Sequence, residues 1–444
     1  MARLRYKYWV DTFAADIRSG RLAPGTRLPT HRRLAADNGM SLATASRVYA
    51  ELESMGLVSG EAGRGTFVRE IGLPLGQGID QPPSPDLVDL SFNYPSLPSQ
   101  TEALRLALRQ LTTSGALGSL LHYQPHGGRP HERASIAKYL VGYGLEVTAA
   151  NVLIVSGAQH GLATVMMGLC QPGDVVAVDA LTYTGFKVLA QTLRIELLPI
   201  PVTTTGPDLN VLAQLCQQRR IRALYSMPTL HNPLGWVLSL AQRQRLIELA
   251  RQHQCLLIED AAYAFLIEDA PPPLAALAPD ITLYVSGFSK SVATGLRVGY
   301  IAAPLSYVAA LERVIRATVW NTPAMLTAIV CDWLEEGTVA LFEAEKRLDA
   351  RQRQAIAQAV FADMPFIAHP GAYFIWLPLP EGVRADQVAM TLMTAGVAVA
   401  TAEPFATSTC VPHALRLALG SVPLATLKER LMMVKRVIMN YIDL

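Results

Sequence analysis

The segment from residue 285 to residue 300 reads Val285-Ser-Gly-Phe-Ser-Lys-Ser-Val-Ala-Thr-Gly-Leu-Arg-Val-Gly-Tyr300. It places Lys290 after an apolar run that favours a strand, and Arg297 follows seven residues later. A desolvated lysine amine loses its proton easily and attacks carbonyl groups to form a Schiff base. An arginine guanidinium is planar and matches a phosphate group. By itself, the segment fits this chemistry and an ordinary surface lysine and arginine about equally well.

A carboxylate follows a second buried strand upstream of this segment. The run Cys255–Ile258 is apolar throughout, which is typical of a strand in a parallel sheet. Asp260 then lies near the carboxyl end of that strand, at the edge where open α/β sheets bind ligands. A carboxylate at this place can face a pyridine nitrogen and keep it protonated, so that the ring becomes an electron sink.

Two further segments lie earlier in the chain. The loop Pro228-Thr-Leu-His-Asn-Pro-Leu-Gly235 is rich in turn-forming residues and carries Asn232. The segment Ser156–Gly161 follows the apolar run Val152–Val155 and opens a predicted helix. A helix N-terminus binds anions, because its first N–H groups are free and the helix dipole is positive there. We therefore expect an anion at this second segment.

The four segments, in this order and at these separations, resemble those of the fold-type I aminotransferases, which use pyridoxal 5′-phosphate (PLP). The resemblance covers about residues 89–444. It implies that Lys290 forms an internal aldimine with PLP and that Asp260 pairs with the ring nitrogen. It also implies hydrogen bonds to the ring oxygen from Asn232 and Tyr263, stacking on the ring by Tyr183, and phosphate binding by Ala158, Gln159 and Arg297.

The resemblance also assigns two residues outside these segments. Tyr123, in the loop His122–Gly128, matches the tyrosine that reaches the phosphate of the partner subunit, which implies a homodimer. Arg416 matches the arginine that binds the carboxylate of a substrate. An amine or amino acid is therefore the expected small-molecule ligand.

The charge of the chain is unevenly distributed. Residues 1–70 contain 11 lysine and arginine residues against 7 aspartate and glutamate residues, whereas the whole chain has a net charge of only +2. A basic small module joined to a slightly acidic large one fits nucleic-acid binding at one end of the chain. The excess is too small to establish that function alone.

A helix-turn-helix is predicted within this basic module. Thr30 is suited to cap a helix over residues 31–38, and Ser41 is suited to cap a second helix that continues to Met55. The turn between the two helices contains a glycine, as such motifs commonly do. Short strands around residues 57–59 and 66–68 then form a predicted wing.

The segments Leu28-Pro-Thr-His-Arg-Arg-Leu-Ala35, Tyr49–Gly56 and Gly63–Val68 resemble the GntR-type winged helix-turn-helix. In such a module the second helix enters the major groove of double-stranded DNA by its N-terminal residues, and basic residues reach phosphates or the minor groove. The residues expected at the bases are Ser41, Leu42, Thr44 and Ser46, followed by Arg47, and those expected at the backbone are Arg32 and Arg64.

Leu42 departs from the family pattern, because many members carry arginine there. A leucine can contact a thymine methyl group, but it cannot donate the two hydrogen bonds that read guanine. Each of the arginines, taken singly, is about equally well explained as a solvated surface charge.

A GntR-type module followed by an aminotransferase-like domain resembles the MocR family of transcriptional regulators over essentially the whole chain. The resemblance implies a multidomain α+β protein whose large domain senses PLP, often together with an amine or amino acid. We expect a winged helix-turn-helix over residues 1–70 and a linker rich in glycine and proline over 71–88. The domain over 89–444 should be α/β with a mainly parallel seven-stranded sheet, including a small α+β subdomain from about residue 330.

Within the large domain, apolar patterns predict further elements. We expect one long helix around residues 326–349, a pair of strands within 367–377, and a closing helix over 424–441.

The composition limits the other possibilities. The chain of 444 residues is 51% hydrophobic, yet no apolar run approaches the ~18–20 residues that a membrane span requires. Neither an apolar leader segment nor paired cysteines are evident, so we expect a cytoplasmic protein with reduced thiols. The nine histidines form no metal-ligand spacing, and no metal site is predicted.

Two other functions remain open. The chain could be an active aminotransferase with a DNA-binding appendage, although Gly287 stands where that family usually has a phosphate-binding serine or threonine. Ser286 or Ser289 could supply the missing hydroxyl. A DNA-binding protein with a cofactor-free domain is disfavoured, because the lysine, aspartate and arginine of the site are all present.

Overall fold

The computed structural model of the chain describes residues 2–18, 20–61, 64–69, 87–113, 117–408 and 411–442. Nearly all of the predicted linker, the middle of the predicted wing turn and Cys410 lie outside these ranges. The described strands form a two-stranded, a seven-stranded and a four-stranded sheet. No described helix is long and apolar enough to cross a membrane.

The elements of the described chain are numbered here in chain order. The helices α1 to α16 are Ala2–Arg18, His31–Asp37, Leu42–Ser54, Pro98–Thr113, Pro130–Val141, Ala158–Leu169, Thr184–Thr192, Leu209–Gln218, Leu240–Gln252, Leu274–Leu277, Phe288–Ser291, Leu305–Thr318, Ala324–Glu335, Thr338–Val360, Ala385–Thr394 and Leu424–Ile442. The strands β1 to β13 are Val58–Glu61, Gly65–Val68, Val88–Leu90, Val152–Val155, Val175–Asp179, Glu196–Ile200, Ala223–Ser226, Leu256–Asp260, Thr282–Gly287, Gly299–Ala302, Phe374–Pro378, Val397–Thr401 and Ala414–Ala418.

The first three helices and the two-stranded sheet form the DNA module. Both predicted caps are present: Thr30 accepts a hydrogen bond from the N–H of Arg33, and Ser41 accepts one from the N–H of Thr44. The apolar face of α3 packs on α1, so that the module has a core of its own. Strands β1 and β2 pair antiparallel and form the wing.

The seven-stranded sheet has the strand order β4-β10-β9-β8-β7-β5-β6. Strand β10 runs antiparallel to both of its neighbours, whereas the remaining pairs are parallel. The expected mainly parallel seven-stranded sheet is therefore confirmed. Because the parallel strands end at one edge, the residues that follow β4, β8 and β9 meet there.

The four-stranded sheet, in the order β11-β13-β12-β3, forms the small subdomain with α14, α15 and α16 packed around it. Strand β3 comes from far upstream in the sequence and pairs parallel with β12. The chain that leaves β3, beginning at Ser91, therefore runs from this small sheet towards the edge of the large one.

Two predicted elements differ from the structure. The single long helix expected around residues 326–349 is two helices, α13 and α14, separated by Gly337, which has a left-handed φ of +81°. A glycine at such a φ ends a helix without the steric cost that a side chain would add. Instead of the expected pair of strands in 367–377, the structure has one strand, β11. Trp376 of this strand forms an isolated bridge with Ile367.

The backbone of Gly157, at the start of α6, packs closely against the backbone of Gly299, near the end of the segment 285–300. A Cβ atom at Gly299 would lie 2.6 Å from the carbonyl carbon of Gly157, and neither backbone can yield easily. We predict that Gly299→Ala lowers the free energy of unfolding by about 1–3 kcal/mol, the usual cost of overpacking. Chemical denaturation measures this. Gly295→Ala is the matched control, because nothing lies within 4 Å of a Cβ there; equal losses in both variants would contradict the prediction.

Candidate functional site

Lys290 lies in the short helix α11, directly after β9, and is half-buried. Its Nζ donates a hydrogen bond to the carbonyl oxygen of Asn93. The same Nζ lies 6.0 Å from the centre of the Tyr263 ring. The amine therefore lies half-buried at the sheet edge beside an aromatic ring. The carbonyl group of a ligand can reach it there.

Asp260 ends β8, and only 2% of its surface is exposed. Its Oδ2 accepts a hydrogen bond of 2.7 Å from the hydroxyl of Tyr225, and its Oδ1 accepts one of 3.1 Å from the N–H of Ala262. Burial raises the pKa of Asp260, while these two donors act in the opposite direction. The two donors stabilise the carboxylate form, and a protonated ring nitrogen would be a further donor that lowers the pKa of this carboxyl.

This arrangement gives a prediction about cofactor affinity. Removing a charged hydrogen-bond partner costs about 1.5–3 kcal/mol, so Asp260→Ala should weaken PLP binding by roughly 10- to 150-fold and shift its absorbance. Equilibrium titration followed by visible absorbance measures both changes. Tyr225→Phe removes only one donor to the carboxylate and should have the smaller effect. Unchanged affinity in Asp260→Ala would contradict the assignment.

Several polar atoms around this edge are buried without a hydrogen-bond partner among the described residues. They include Oδ1 of Asn232 and Oε1 of Gln159. The other end of the Gln159 amide donates to the carbonyl oxygen of Gly185, just after Tyr183. A buried acceptor without a partner costs free energy, so a ligand with donor groups is expected to satisfy these atoms.

A cradle for an anion lies at the N-terminus of α6. Gly157 caps this helix with a φ of +83°, and a Cβ atom there would lie 2.7 Å from Nη2 of Arg297. Arg297 donates to the hydroxyl of Ser289 and to the carbonyl oxygen of Ser156, both at 3.2 Å. Three kinds of donor therefore converge, as phosphate binding requires. They are the guanidinium of Arg297, the hydroxyl of Ser289 and the free N–H groups of the first helical turn, which begins at Ala158.

Arg416 lies on β13 of the small subdomain and is buried. It donates to the carbonyl oxygen of Ser91, and its Nε has no partner among the described residues. Its guanidinium lies 5.2 Å from the Phe405 ring centre. Because Ser91 and Asn93 are two residues apart, one short extended segment, at most about 7 Å long, connects the groups bonded to Arg416 and Lys290.

Tyr123 lies on the surface of the described chain, beside Trp320. Its side chain is 85% exposed, and its ring is 5.4 Å from that of Trp320. Leu121 is similarly exposed, so this surface presents apolar groups to solvent. Such a patch is typical of an interface with another chain.

The N-terminus of α3 is open to solvent. Ser41, Leu42 and Arg47 are exposed, and the side chain of Leu42 is 49% accessible. Ser46 shares a hydrogen bond of 3.1 Å with Nδ1 of His31, and the hydroxyl of Thr44 bonds to that of Ser41. The structure therefore brings the predicted base-contacting residues together on one accessible helix end.

The two arginines expected at the DNA backbone have different surroundings. Arg32 is exposed on α2. Arg64, in the wing, donates a hydrogen bond of 2.7 Å to the carbonyl oxygen of Gly382 in the small subdomain. Arg64 can reach a phosphate only if this contact is exchanged.

Charged groups join the wing to the small subdomain. Arg384 is 5% exposed, pairs with Glu61 and Asp386, and lies 3.8 Å from the Phe67 ring centre. Arg69, at the end of the wing, pairs with Glu403. Partly buried pairs of this kind fix geometry more strongly than exposed ones.

One loop connects these contacts to the arginine of the candidate site. Glu403, which pairs with Arg69, is two residues from Phe405, which lies against Arg416. The N–H of Thr182, next to Tyr183, donates to the carbonyl oxygen of Phe405. The loop therefore touches the wing, the arginine that is predicted to bind a carboxylate, and the residue before the predicted ring-stacking tyrosine.

Sequence reasoning missed three contacts that support the site. Tyr225 bonds to Asp260, Asn93 bonds to Lys290, and His160 accepts a hydrogen bond from the N–H of Ser156. The spacing of His160 within Ser156–Gly161 was visible in the sequence, because Nδ1 of a residue early in a helix can reach the preceding turn. The other two contacts join distant parts of the chain and have no local signal.

Comparison with known families agrees with this architecture. Residues 85–432 match the family described as aminotransferase class I and II, and residues 10–68 match the bacterial regulatory proteins of the gntR family. The first match covers more than half of the chain, which therefore belongs to the class I and II aminotransferase family. The chain has the MocR-like architecture that the sequence predicted: it is a GntR-family helix-turn-helix transcriptional regulator with an aminotransferase domain.

Two relatives match nearly the whole chain, and a third matches about three quarters of it. An uncharacterized HTH-type transcriptional regulator of Bacillus subtilis, YdeF, is 28% identical over 98% of this chain and 94% of its own length. The uncharacterized regulator YjiR of Escherichia coli is 26% identical over 93% and 94%, respectively. A 2-aminoadipate transaminase of Thermus thermophilus is 28% identical over 74% of this chain and 83% of its own.

Solved structures show the same fold. LysN, an α-aminoadipate aminotransferase of Thermus thermophilus, superposes with a TM-score of 0.74 at 24% identity, over 81% of this chain and 94% of its own. An archaeal alanine:glyoxylate aminotransferase gives the same TM-score and identity over 80% and 91%. The class I aminotransferase fold typically binds PLP.

The residues at the sheet edge fit PLP. The carboxylate of Asp260 suits a pyridine nitrogen, the orphaned oxygen of Asn232 suits a protonated ring oxygen, and the cradle at Arg297 suits a phosphate. Lys290, which directly follows β9, provides a primary amine. The chemistry of the donor set therefore matches each polar group of the cofactor.

Proposed function

We propose that the chain is a PLP-dependent DNA-binding transcriptional regulator that senses PLP, an amine or an amino acid through a covalent link at Lys290. The observation that carries the proposal is the contact between the wing and the subdomain that holds Arg416. A ligand bound at Arg416 can in this way influence the DNA module without any further protein.

Each candidate residue has a role at this site. Lys290 provides the amine that joins the cofactor, Asp260 holds a proton on the ring nitrogen, and Asn232 and Tyr263 orient the ring oxygen. Bound PLP supplies a reactive aldehyde and an electron-accepting ring. The remaining roles are ring stacking by Tyr183 and phosphate binding by Ala158, Gln159, Ser289 and Arg297.

Arg416 binds a carboxylate of the ligand in this proposal. A carboxylate that enters the site can accept a hydrogen bond from Nε of Arg416, which has no partner among the described residues, while Nη2 of Arg416 donates to the carbonyl oxygen of Ser91. The loop that carries Glu403 and Phe405 then adjusts, because Phe405 lies against the same guanidinium. A ligand that binds more tightly to one arrangement of this loop increases the population of the wing position that goes with it. We propose that this change in wing position regulates DNA binding.

We propose that the active form is a homodimer. Tyr123 is exposed beside Trp320 and Leu121, and its predicted contact with a phosphate requires a second subunit. A two-fold dimer would also present two copies of α3 to two half-sites of an operator. Sedimentation of the PLP-bound protein at micromolar concentration should show a dimer, and a monomer would refute this part.

We propose the domain boundaries that the sequence predicts: a DNA module over 1–70, a linker over 71–88 and an effector domain over 89–444. We also place the protein in the cytoplasm, where DNA and PLP are both present. Arg32, Ser41, Leu42, Thr44, Ser46, Arg47 and Arg64 are the proposed DNA contacts.

The DNA contacts differ in what they should do. Arg32→Ala should weaken binding to all sequences alike and reduce the slope of log affinity against log salt by about one, because one phosphate contact is lost. Ser46→Ala should instead change the preferred base, by ~1–3 kcal/mol at one position. Binding isotherms at several salt concentrations measure both effects. A sequence-dependent loss in Arg32→Ala would contradict the backbone assignment.

An active aminotransferase with a DNA-binding appendage is the second candidate. It is favoured by the presence of Lys290, Asp260 and Arg416 together and by the similarity to the Thermus transaminase. The visible absorbance of the purified protein, recorded with a panel of amino acids and amines, tests both proposals. An absorbance change that stops after one exchange supports sensing, and continued product formation supports catalysis.

A further inference from the structure

A second lysine lies directly behind the Schiff-base candidate. Lys346, on α14, is 0% exposed and is one of the largest fully buried side chains. Its Nζ donates to three backbone carbonyl oxygens: that of Lys290 at 2.8 Å, that of Val292 at 2.6 Å and that of Pro95 at 3.1 Å. An ammonium group has three donors, so all of its hydrogen bonds are used inside the protein.

The three carbonyl groups belong to the two segments that meet at Lys290. Lys290 and Val292 form the turn that carries the reactive amine, and Pro95 ends the segment that starts at Ser91. That segment also accepts the hydrogen bonds of Arg416 and of Lys290 itself. One ammonium group therefore fixes the backbone of the lysine turn against the segment that reaches the carboxylate-binding arginine.

The charge of Lys346 is set by its surroundings. Glu343 and Asp349 of the same helix and Lys290 of the adjacent turn are the charged groups that act on it. Burial, followed by the charge of Lys290, lowers the pKa of Lys346 to about 7. Three carbonyl acceptors favour the ammonium form, because a neutral amine has only two N–H donors.

We propose that Lys346 is a positioning residue for Lys290: it fixes the lysine turn relative to the Ser91–Pro95 segment and places a positive charge behind the lysine–cofactor linkage. The role rests on the proposed function. A like charge nearby disfavours the protonated form of a linkage, so Lys346 should lower the pH at which that linkage loses its proton. A residue that only stabilised the fold would have no such effect.

The test is a pH titration of visible absorbance on the full-length, PLP-loaded protein. Lys346→Met removes the charge at similar volume, and Lys346→Gln keeps a donor for the carbonyl groups if the first variant does not fold. Either change should raise the midpoint of the titration by about 1–2 pH units, as expected for the loss of one nearby buried charge.

The matched control is Arg243→Met. Arg243 is also 0% exposed and donates to the carbonyl oxygens of Leu238, Pro272 and Pro228, but its charge faces Glu259 rather than Lys290. Its removal should reduce stability without moving the midpoint. Unchanged midpoints in both Lys346 variants, or an equal shift in Arg243→Met, would overturn the positioning role. Absence of any cofactor absorbance in the wild-type protein would instead refute the proposed function on which this role rests.

Discussion

Lys290→Ala will abolish covalent attachment of PLP, so that borohydride reduction and peptide mapping find no pyridoxyl group. The Schiff base requires a primary amine at the carbon of the aldehyde, and Lys290 is the lysine that directly follows β9 at the sheet edge. The loss should be complete, whereas weak reversible binding should persist through the phosphate contacts. In the wild-type protein the same mapping should place the pyridoxyl group on Lys290.

Lys187 is the matched control for this prediction. It is a second partly buried lysine near the site, its Nζ donates to the carbonyl oxygen of Glu403, and burial lowers its pKa to about 8. It is therefore chemically competent to react with an aldehyde. Lys187→Ala should keep the attachment. A pyridoxyl group on Lys187 in the wild-type protein, or one retained in Lys290→Ala, would contradict the assignment.

Arg416→Ala will abolish most of the affinity for amino acids while leaving simple amines nearly unaffected. Truncating one partner of a buried charge pair costs about 2–5 kcal/mol, which corresponds to a loss of roughly 30- to 5,000-fold. An amine that lacks a carboxylate makes no contact with this guanidinium, so its affinity should not change. Competition titrations followed by absorbance should therefore separate the two classes of ligand.

The matched comparison is between an amino acid and the amine formed from it by loss of its carboxylate. In the wild-type protein the amino acid should bind more tightly, and in Arg416→Ala the two should become similar. Equal losses for both ligands would show that Arg416 acts through the fold, since its removal also frees the carbonyl oxygen of Ser91. An unchanged amino-acid affinity would remove Arg416 from the ligand site.

The parts of this protein that local chemistry determines could be predicted from the sequence. Thr30 and Ser41 cap their helices because a short hydroxyl side chain binds the free N–H groups two or three residues on. Asp260 and Lys290 follow apolar runs, and the carboxyl ends of parallel strands lie at one edge. The mainly parallel seven-stranded sheet also follows from the family pattern that these segments identify.

The parts that depend on distant contacts could not be predicted. Lys346 lies in a helix that mixes apolar and charged residues, and nothing local indicates that its amine is buried against the turn of Lys290. The pairing of Arg384 with Glu61 joins residues more than 300 positions apart. Gly337 ends a helix that apolar spacing alone would continue. In each case the decisive contact depends on how the sheets and helices pack. The apolar periodicity of the sequence carries no information about that packing.

The central claim is that a ligand at Lys290 changes how the DNA module binds DNA without requiring turnover. Footprinting of the wild-type protein and of Lys290→Ala on DNA upstream of its own gene, or on sites selected from the genome, tests it directly. Samples without cofactor, with PLP, and with PLP and candidate amines or amino acids should be compared. We expect a specific site whose footprint or bend changes with ligand in the wild-type protein and not in Lys290→Ala. Absence of any specific site, together with transamination at ordinary enzymatic rates on the order of 1 per second or faster, would contradict it.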